Sequence, residues 1–182
     1  MTLGSSNTGS ATMNIVNLPY GRYRFDLQIT DTAGNIATRS FTYFVDAIDW
    51  TISADTYNIG NITQNIATFG TGELVVTVRT VGAGFALTTA PTNPLAIPSG
   101  DTINYWNGTY GVGYDLWNGT AFLGNIITYS PNATLATVAK NINQNGERNT
   151  FTYRIKYGAQ VDFMQKAGDY NGTVQFGLSL DY

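Results

Sequence analysis

Three observations predict an antiparallel all-β fold. Apolar and polar residues alternate with period two through several segments, Asn-Gly pairs occur at four places, and Gly (20), Thr (26) and Asn (18) dominate a chain of 182 residues in which only 12% are charged. Alternation means strands buried on one face, Asn-Gly supplies the positive φ that tight hairpin turns need, and Thr suits exposed strand faces. The expected architecture is a β-sandwich carrying a hairpin meander, over residues 47–182, preceded by a shorter β segment over 1–46.

Met1 to Ser10 has neither a basic nor an apolar stretch, so it is read as a flexible arm and not as a secretory signal. Tyr23, Phe25, Leu27 and Ile29 alternate with Arg22, Arg24, Asp26 and Gln28, and a second strand runs through Phe44 to a boundary at Asp46. Leu74, Val76 and Val78 alternate with Val75, Thr77 and Arg79. Trp106-Asn107-Gly108-Thr109 is echoed eleven residues later by Trp117-Asn118-Gly119-Thr120, which predicts a three-stranded meander from Thr102 to Leu123. With two-residue turns, Trp106, Thr109, Gly111, Gly113, Asp115, Trp117, Thr120 and Phe122 share one face, and Ile103, Tyr105, Tyr110, Val112, Tyr114, Leu116, Ala121 and Leu123 form the core side. Leu135, Val138 and Ile142 stand near helical spacing before Asn145-Gly146, so Thr134 to Ile142 reads as a short helix or a strand. Val174, Phe176, Leu178 and Leu180 close the chain in a last alternating strand.

The composition excludes much chemistry. With no His and no Cys, zinc centres and Ser–His or Cys–His nucleophiles have no ligands or base, and no cofactor is implied. Nine basic residues form no run and net charge is −3, against a nucleic-acid partner. The longest uncharged stretches are broken by Pro, Asn, Thr and Gly, so no membrane span is expected. Asp101 with Asp115, and Asp162 with Asp169, show no spacing that marks a glycosidase pair; solvated acids are the ordinary reading. Asp31 and Asn35 offer oxygen ligands for Ca²⁺ or, more simply, caps for a turn. The chain is therefore expected to be no enzyme and to hold no metal.

Two stretches resemble bacterial cell-surface β-proteins. Gly21-Arg22-Tyr23-Arg24-Phe25 through Asp31-Thr32-Ala33-Gly34-Asn35, with the strand that follows, resembles the closing hairpin of bacterial immunoglobulin-like repeats over residues 11–46. A complete immunoglobulin-like domain has about seven strands in about 100 residues, so the resemblance implies that 1–46 is a partial immunoglobulin-like segment, either truncated or completed by strands from elsewhere. Tyr153 to Asp162 followed by Gln165-Lys166-Ala167-Gly168-Asp169-Tyr170-Asn171-Gly172-Thr173-Val174 looks like the closing hairpin of pilus-like and surface-layer-like subunits, covering 153–182. The resemblances imply a secreted, extracellular structural protein of a surface layer, fibre or adhesin stalk. Its partner is then a copy of itself or a neighbouring surface domain, joined by strand complementation.

Candidate binding residues are Trp106, Trp117 and Phe122, set over the glycine floor of Gly111 and Gly113. That face is open to three readings: cover by another sheet or loop, a protein partner, or a glycan ligand, the last making the chain a carbohydrate-binding module. A third class of reading is an accessory domain of a larger secreted enzyme. Asn61, Asn107, Asn118, Asn132 and Asn171 head N-x-Thr sequons, acceptors in a glycosylating host, but roughly three would arise by chance in so Asn- and Thr-rich a chain. Lys156, one of three lysines, is a candidate for an intramolecular isopeptide bond to an Asn or Asp, a cross-link open to a chain without cysteine.

Overall fold

The computed structural model describes residues 18–19, 21–45, 48–128, 133–141 and 148–181. The arm at 1–10, the Asn145-Gly146 turn and the Asn132 sequon lie outside the described residues. Twelve strands and no helix are present among the described residues, and every strand pair is antiparallel. The all-β sandwich-like prediction holds. No helix long and apolar enough to cross a membrane is present among the described residues.

β1 (Gly21–Thr30) and β2 (Ile36–Val45) form a hairpin in perfect register from Gly21↔Val45 to Thr30↔Ile36, a two-stranded sheet of its own. Its turn is made by Asp31, whose Oδ1 accepts the Ala33 and Asn35 amides at 2.9 and 2.8 Å, while Oδ2 accepts the Asn35 side-chain amide at 2.7 Å. Both carboxylate oxygens are thus used in capping the turn. These hydrogen bonds, the Asn35 side chain foremost, hold the Asp31 carboxyl below its ordinary range.

The remaining strands make two facing sheets. One has β11 (Asn149–Gln160) at its centre, with β5 (Leu74–Thr80) and then β4 (Thr68–Phe69) along one edge, β9 (Gly111–Leu116) along the other, and β3 (Asp49–Ile52) outside β5. The other sheet is β6 (Gly84–Pro91) between β10 (Ala133–Val138) and β12 (Val174–Asp181). β7 (Leu95–Ala96) and β8 (Thr102–Ile103) form a small separate pair. The core lies between the sheets, as alternation demands. Leu74, Val76 and Val78 meet Ile155 and Tyr157 from one side, and Phe85, Leu87 and Leu135 from the other, with Val174, Phe176, Leu178 and Leu180 packed at its margin.

Of the two readings of Thr134 to Ile142 the strand is found, as β10, whose alternate residues Ala133 and Leu135 face the core. Other expectations are corrected. Residues 153–182 are not a hairpin: β11 and β12 lie in opposite sheets, and Asn171 makes no hairpin turn but bridges Ala96. The 102–123 meander is absent too. Each Asn accepts two backbone amides on its side-chain oxygen, Asn107 from Thr109 and Tyr110 and Asn118 from Thr120 and Ala121, and the backbone closes from the Asn amide to the Tyr110 or Ala121 carbonyl, one residue on from the expected Trp–Thr pairing. Gly108 and Gly119 carry the required positive φ of 102° and 98°. In consequence Tyr105 bridges Val112 in parallel, where the meander required an antiparallel pairing.

Tyrosine corners appear twice. Tyr23 donates its hydroxyl to the Pro19 carbonyl at 2.8 Å, and Tyr170 to the Lys166 carbonyl at 2.9 Å, both four residues back. Asp101 Oδ2 lies 2.8 Å from the same hydroxyl and shares its single proton with the Lys166 carbonyl, while the hydroxyl accepts from the Gln165 amide at 2.7 Å. The Tyr170 hydrogen bond holds the Asp101 carboxyl below its usual range.

Candidate functional site

Two surfaces stand out, one aromatic and one apolar. The first lies on the outer face of the larger sheet. Ile155 and Tyr157 point into the core, so Arg154 and Lys156 between and beside them point outward. The β9 register sets Asp115 opposite Lys156, and the Trp117 amide donates to the Arg154 carbonyl at 3.0 Å, which continues the ladder one step. Across β11, the β5 register brings Glu73 beside the same pair. Arg154 grips Glu73 through two hydrogen bonds of 2.6 and 2.8 Å, which hold the Glu73 carboxyl below its ordinary value.

Trp117 and Phe122 meet edge to face at 5.4 Å between centroids. The Arg154 guanidinium lies 4.1 Å from the Trp117 ring centroid and the Lys156 ammonium 4.8 Å from that of Phe122. The fold brings two of the three predicted aromatic residues together and leaves the third apart. The Trp106 amide bonds the Val112 carbonyl at the start of β9, about 17 Å of strand from Trp117 at its far end.

The glycine floor is covered. The chain after Phe122 returns along β9, where Tyr114 bridges Ile127, and a Cβ on Gly113 would collide with the Ile127 carbonyl and sit 2.5 Å from Ile126 Cγ2. Gly111 likewise lies against the backbone of Tyr105 and Trp106. Alternate glycines on one strand face permit this close backbone approach, the signal by which the sequence foreshadows the cover. Two residues of the expected core side, Ala121 and Leu123, are exposed instead, because the Asn118 loop turns them outward.

Asp115 lies on the face expected opposite the core side, and cover of that face, one of the readings open for it, leaves it 1% exposed. Its Oδ2 accepts the Gly124 amide at 2.7 Å, while Oδ1 is buried with no hydrogen-bond partner. Asn61, Asn107, Asn118 and Asn171 are all exposed. Asn61 and Asn171 lie on the wall of a groove of about 1050 Å³ between the 56–62 and 165–172 segments. The Asn171 side-chain amide donates to the Asp169 carbonyl at 3.3 Å.

The second surface is one face of the β1–β2 hairpin. Register places Tyr23, Phe25, Leu27 and Ile29 with Tyr43, Phe41, Arg39 and Ala37 on one side. Phe25 and Phe41 stack at 5.3 Å, yet Phe41 is 54% exposed, Tyr43 58% and Leu27 49%. On the opposite side Arg24, Asp26 and Ser40 form a solvated polar cluster, in which the Ser40 hydroxyl and Arg24 lower the Asp26 carboxyl. Sequence reasoning found this strand pair and took its apolar face to be buried; no described element covers it. Compared with protein-family models, curated proteins and solved structures, the chain matches none.

Proposed function

We propose that the chain is a structural, non-catalytic subunit of a secreted bacterial cell-surface assembly, in which the β1–β2 hairpin is completed by strands of a neighbouring copy. The carrying observation is the largely apolar face of that hairpin, interrupted by Arg39, on two strands of 10 residues each, which no described element covers. An isolated two-stranded sheet is marginal in water and needs a further layer or strand to persist. Exposed contiguous apolar patches mark association surfaces. Both outer backbone edges of the hairpin are unpaired among the described residues, so strand addition and face-to-face packing are both open to it. The Tyr23 corner and the Asp31-capped turn add support for the immunoglobulin-like resemblance on which the surface location rests. The low charge, 12% of residues, means that little repulsion opposes packing of like subunits.

Light scattering coupled to size-exclusion chromatography tests this reading. Wild-type chain is expected to exceed the monomer mass increasingly with concentration, and Phe25→Ser/Phe41→Ser to elute as a monomer. A strictly monomeric wild type at high concentration contradicts it. The carbohydrate-binding alternative is weaker, because the two aromatic rings that remain together already have cations over them and Trp106 is remote.

A further inference from the structure

Two turns meet where β11 ends and β4 begins. The Asn65 amide donates to the Val161 carbonyl at 2.7 Å, which holds the 63–66 turn beside the end of β11, and the Gln64 side-chain amide donates to the Phe163 carbonyl at 3.2 Å. The loop that leads into β9 joins them through the Tyr110 hydroxyl, which donates to Asn65 Oδ1 at 2.9 Å. From this end of the larger sheet the two turns display Ile66, Phe163 and Met164, which are 57%, 73% and 76% exposed. Phe163 and Met164 are the most exposed large apolar side chains among the described residues.

The backbone that carries them is closed on itself. The Ile66 amide donates to the Thr63 carbonyl at 3.2 Å, the Met164 amide to Asp162 Oδ1 at 2.9 Å, and the Gln165 amide to the Asp162 carbonyl at 3.4 Å. With the Phe163 carbonyl taken by Gln64, the crown of the 162–165 turn keeps these polar groups paired within the protein. Paired backbone can leave water at little cost, whereas unpaired amides and carbonyls cannot. Charge is sparse as well. Segments 60–67, 104–110 and 161–166 together contain one acid, Asp162, and one base, Lys166.

From this geometry we propose that Ile66, Phe163 and Met164 form a tip that inserts into the surface of a zwitterionic phospholipid bilayer. Even an aromatic side chain covers only about 150–250 Å², so three residues exposed to this degree offer roughly half of the ~800 Å² per partner that a specific protein interface buries. A bilayer needs no matching pocket and takes up individual protruding apolar side chains. Tyr110, amphipathic and tied to the foot of the tip, suits the headgroup level, and exposed Lys166 can keep its ammonium among the phosphates while its stem lies along the acyl boundary. The contact belongs to the sandwich and does not rest on completion of the hairpin by a neighbouring copy.

Flotation of the full chain with phosphatidylcholine vesicles on a density gradient, at low and high salt, tests the proposal. Wild-type chain is expected to float with the vesicles at both salt concentrations, because the contact is apolar. Phe163→Ser/Met164→Ser is expected to lower the partition coefficient about tenfold or more, while Phe25→Ser/Phe41→Ser in the hairpin keeps it. Met164→Trp supplies a second readout, added fluorescence quenching by lipids brominated in their acyl chains. A wild type that stays at the bottom of the gradient overturns the proposal, as does flotation that the tip variant retains and the hairpin variant loses. Self-association without lipid that is lost in the tip variant would assign the tip to a protein contact and overturn it equally.

Discussion

Tyr23, Phe25, Leu27 and Ile29 alternate with polar neighbours as regularly as Leu74, Val76 and Val78 do, and the two sets meet different fates. Val76 and Val78 are 0% exposed beneath Phe85, Leu87 and the strands of the opposite sheet, whereas no described element lies over the hairpin face. Period two in a sequence therefore specifies a strand and its apolar side, and is silent on what covers that side. The same contrast runs through the tyrosine corners. Tyr170 binds into a cluster with Asp101 and Gln165, while Tyr23 has the Pro19 carbonyl as its recorded hydrogen-bond partner. The sandwich covers its apolar strand faces with its own elements, and among the described residues nothing does so for the hairpin.

Truncating the sealed core should have the largest effect. Ile155→Ala removes a 0% exposed side chain from between the sheets and is expected to cost about 2–5 kcal/mol in chemical denaturation. A loss under 1 kcal/mol would blur the contrast between the two regions. Next comes Gly113→Ala, whose methyl group meets the Ile126–Ile127 backbone and side chain; overpacking of this kind costs about 1–3 kcal/mol and is read from the same denaturation curves. Tyr170→Phe deletes one hydroxyl with three recorded partners and should cost about 1 kcal/mol, more than Tyr23→Phe in the hairpin.

A smaller effect concerns acid. The folded-state Asp101 carboxyl titrates below the unfolded value of 3.8, chiefly through Tyr170, so its contribution to stability is present above that value and is lost as pH falls through the lower folded value. Tyr170→Phe is expected to flatten the acid limb of the stability profile below about pH 4; an unchanged limb would detach Asp101 from this corner. The smallest effect on stability is expected from Phe41→Ala, about 0.5 kcal/mol for the isolated monomer, since its side chain is 54% exposed and loses chiefly its stacking on Phe25. Its consequence should appear in association.

Much of the fold was legible because local chemistry and tertiary packing agree. Leu74, Val76 and Val78 lie on the core side that alternation assigns, and Asn107 and Asn118 do reverse the chain. Turn type was harder to read, since Asn-Gly also suits a loop in which the Asn oxygen caps two amides, and that choice decides whether a meander forms. What covers Asp115 was not legible, because the outer side of β9 is closed by the returning 124–127 segment while its inner face meets the core, a long-range fact with no local period. Trp117 and Phe122 are placed on one face by the sequence reading and do meet, though not through the meander it assumes, and their cations, Arg154 and Lys156, arrive from a later strand, paired by a register that the sequence alone does not disclose.

Hydrogen exchange of the amides of residues 21–45, followed by mass spectrometry at low and high protein concentration, tests completion of the hairpin by a second copy most directly. Protection is expected to be slight in dilute solution and to rise with concentration, while the amides of β5 and β11 stay protected throughout. Hairpin amides that exchange at one rate across the whole concentration range would contradict it.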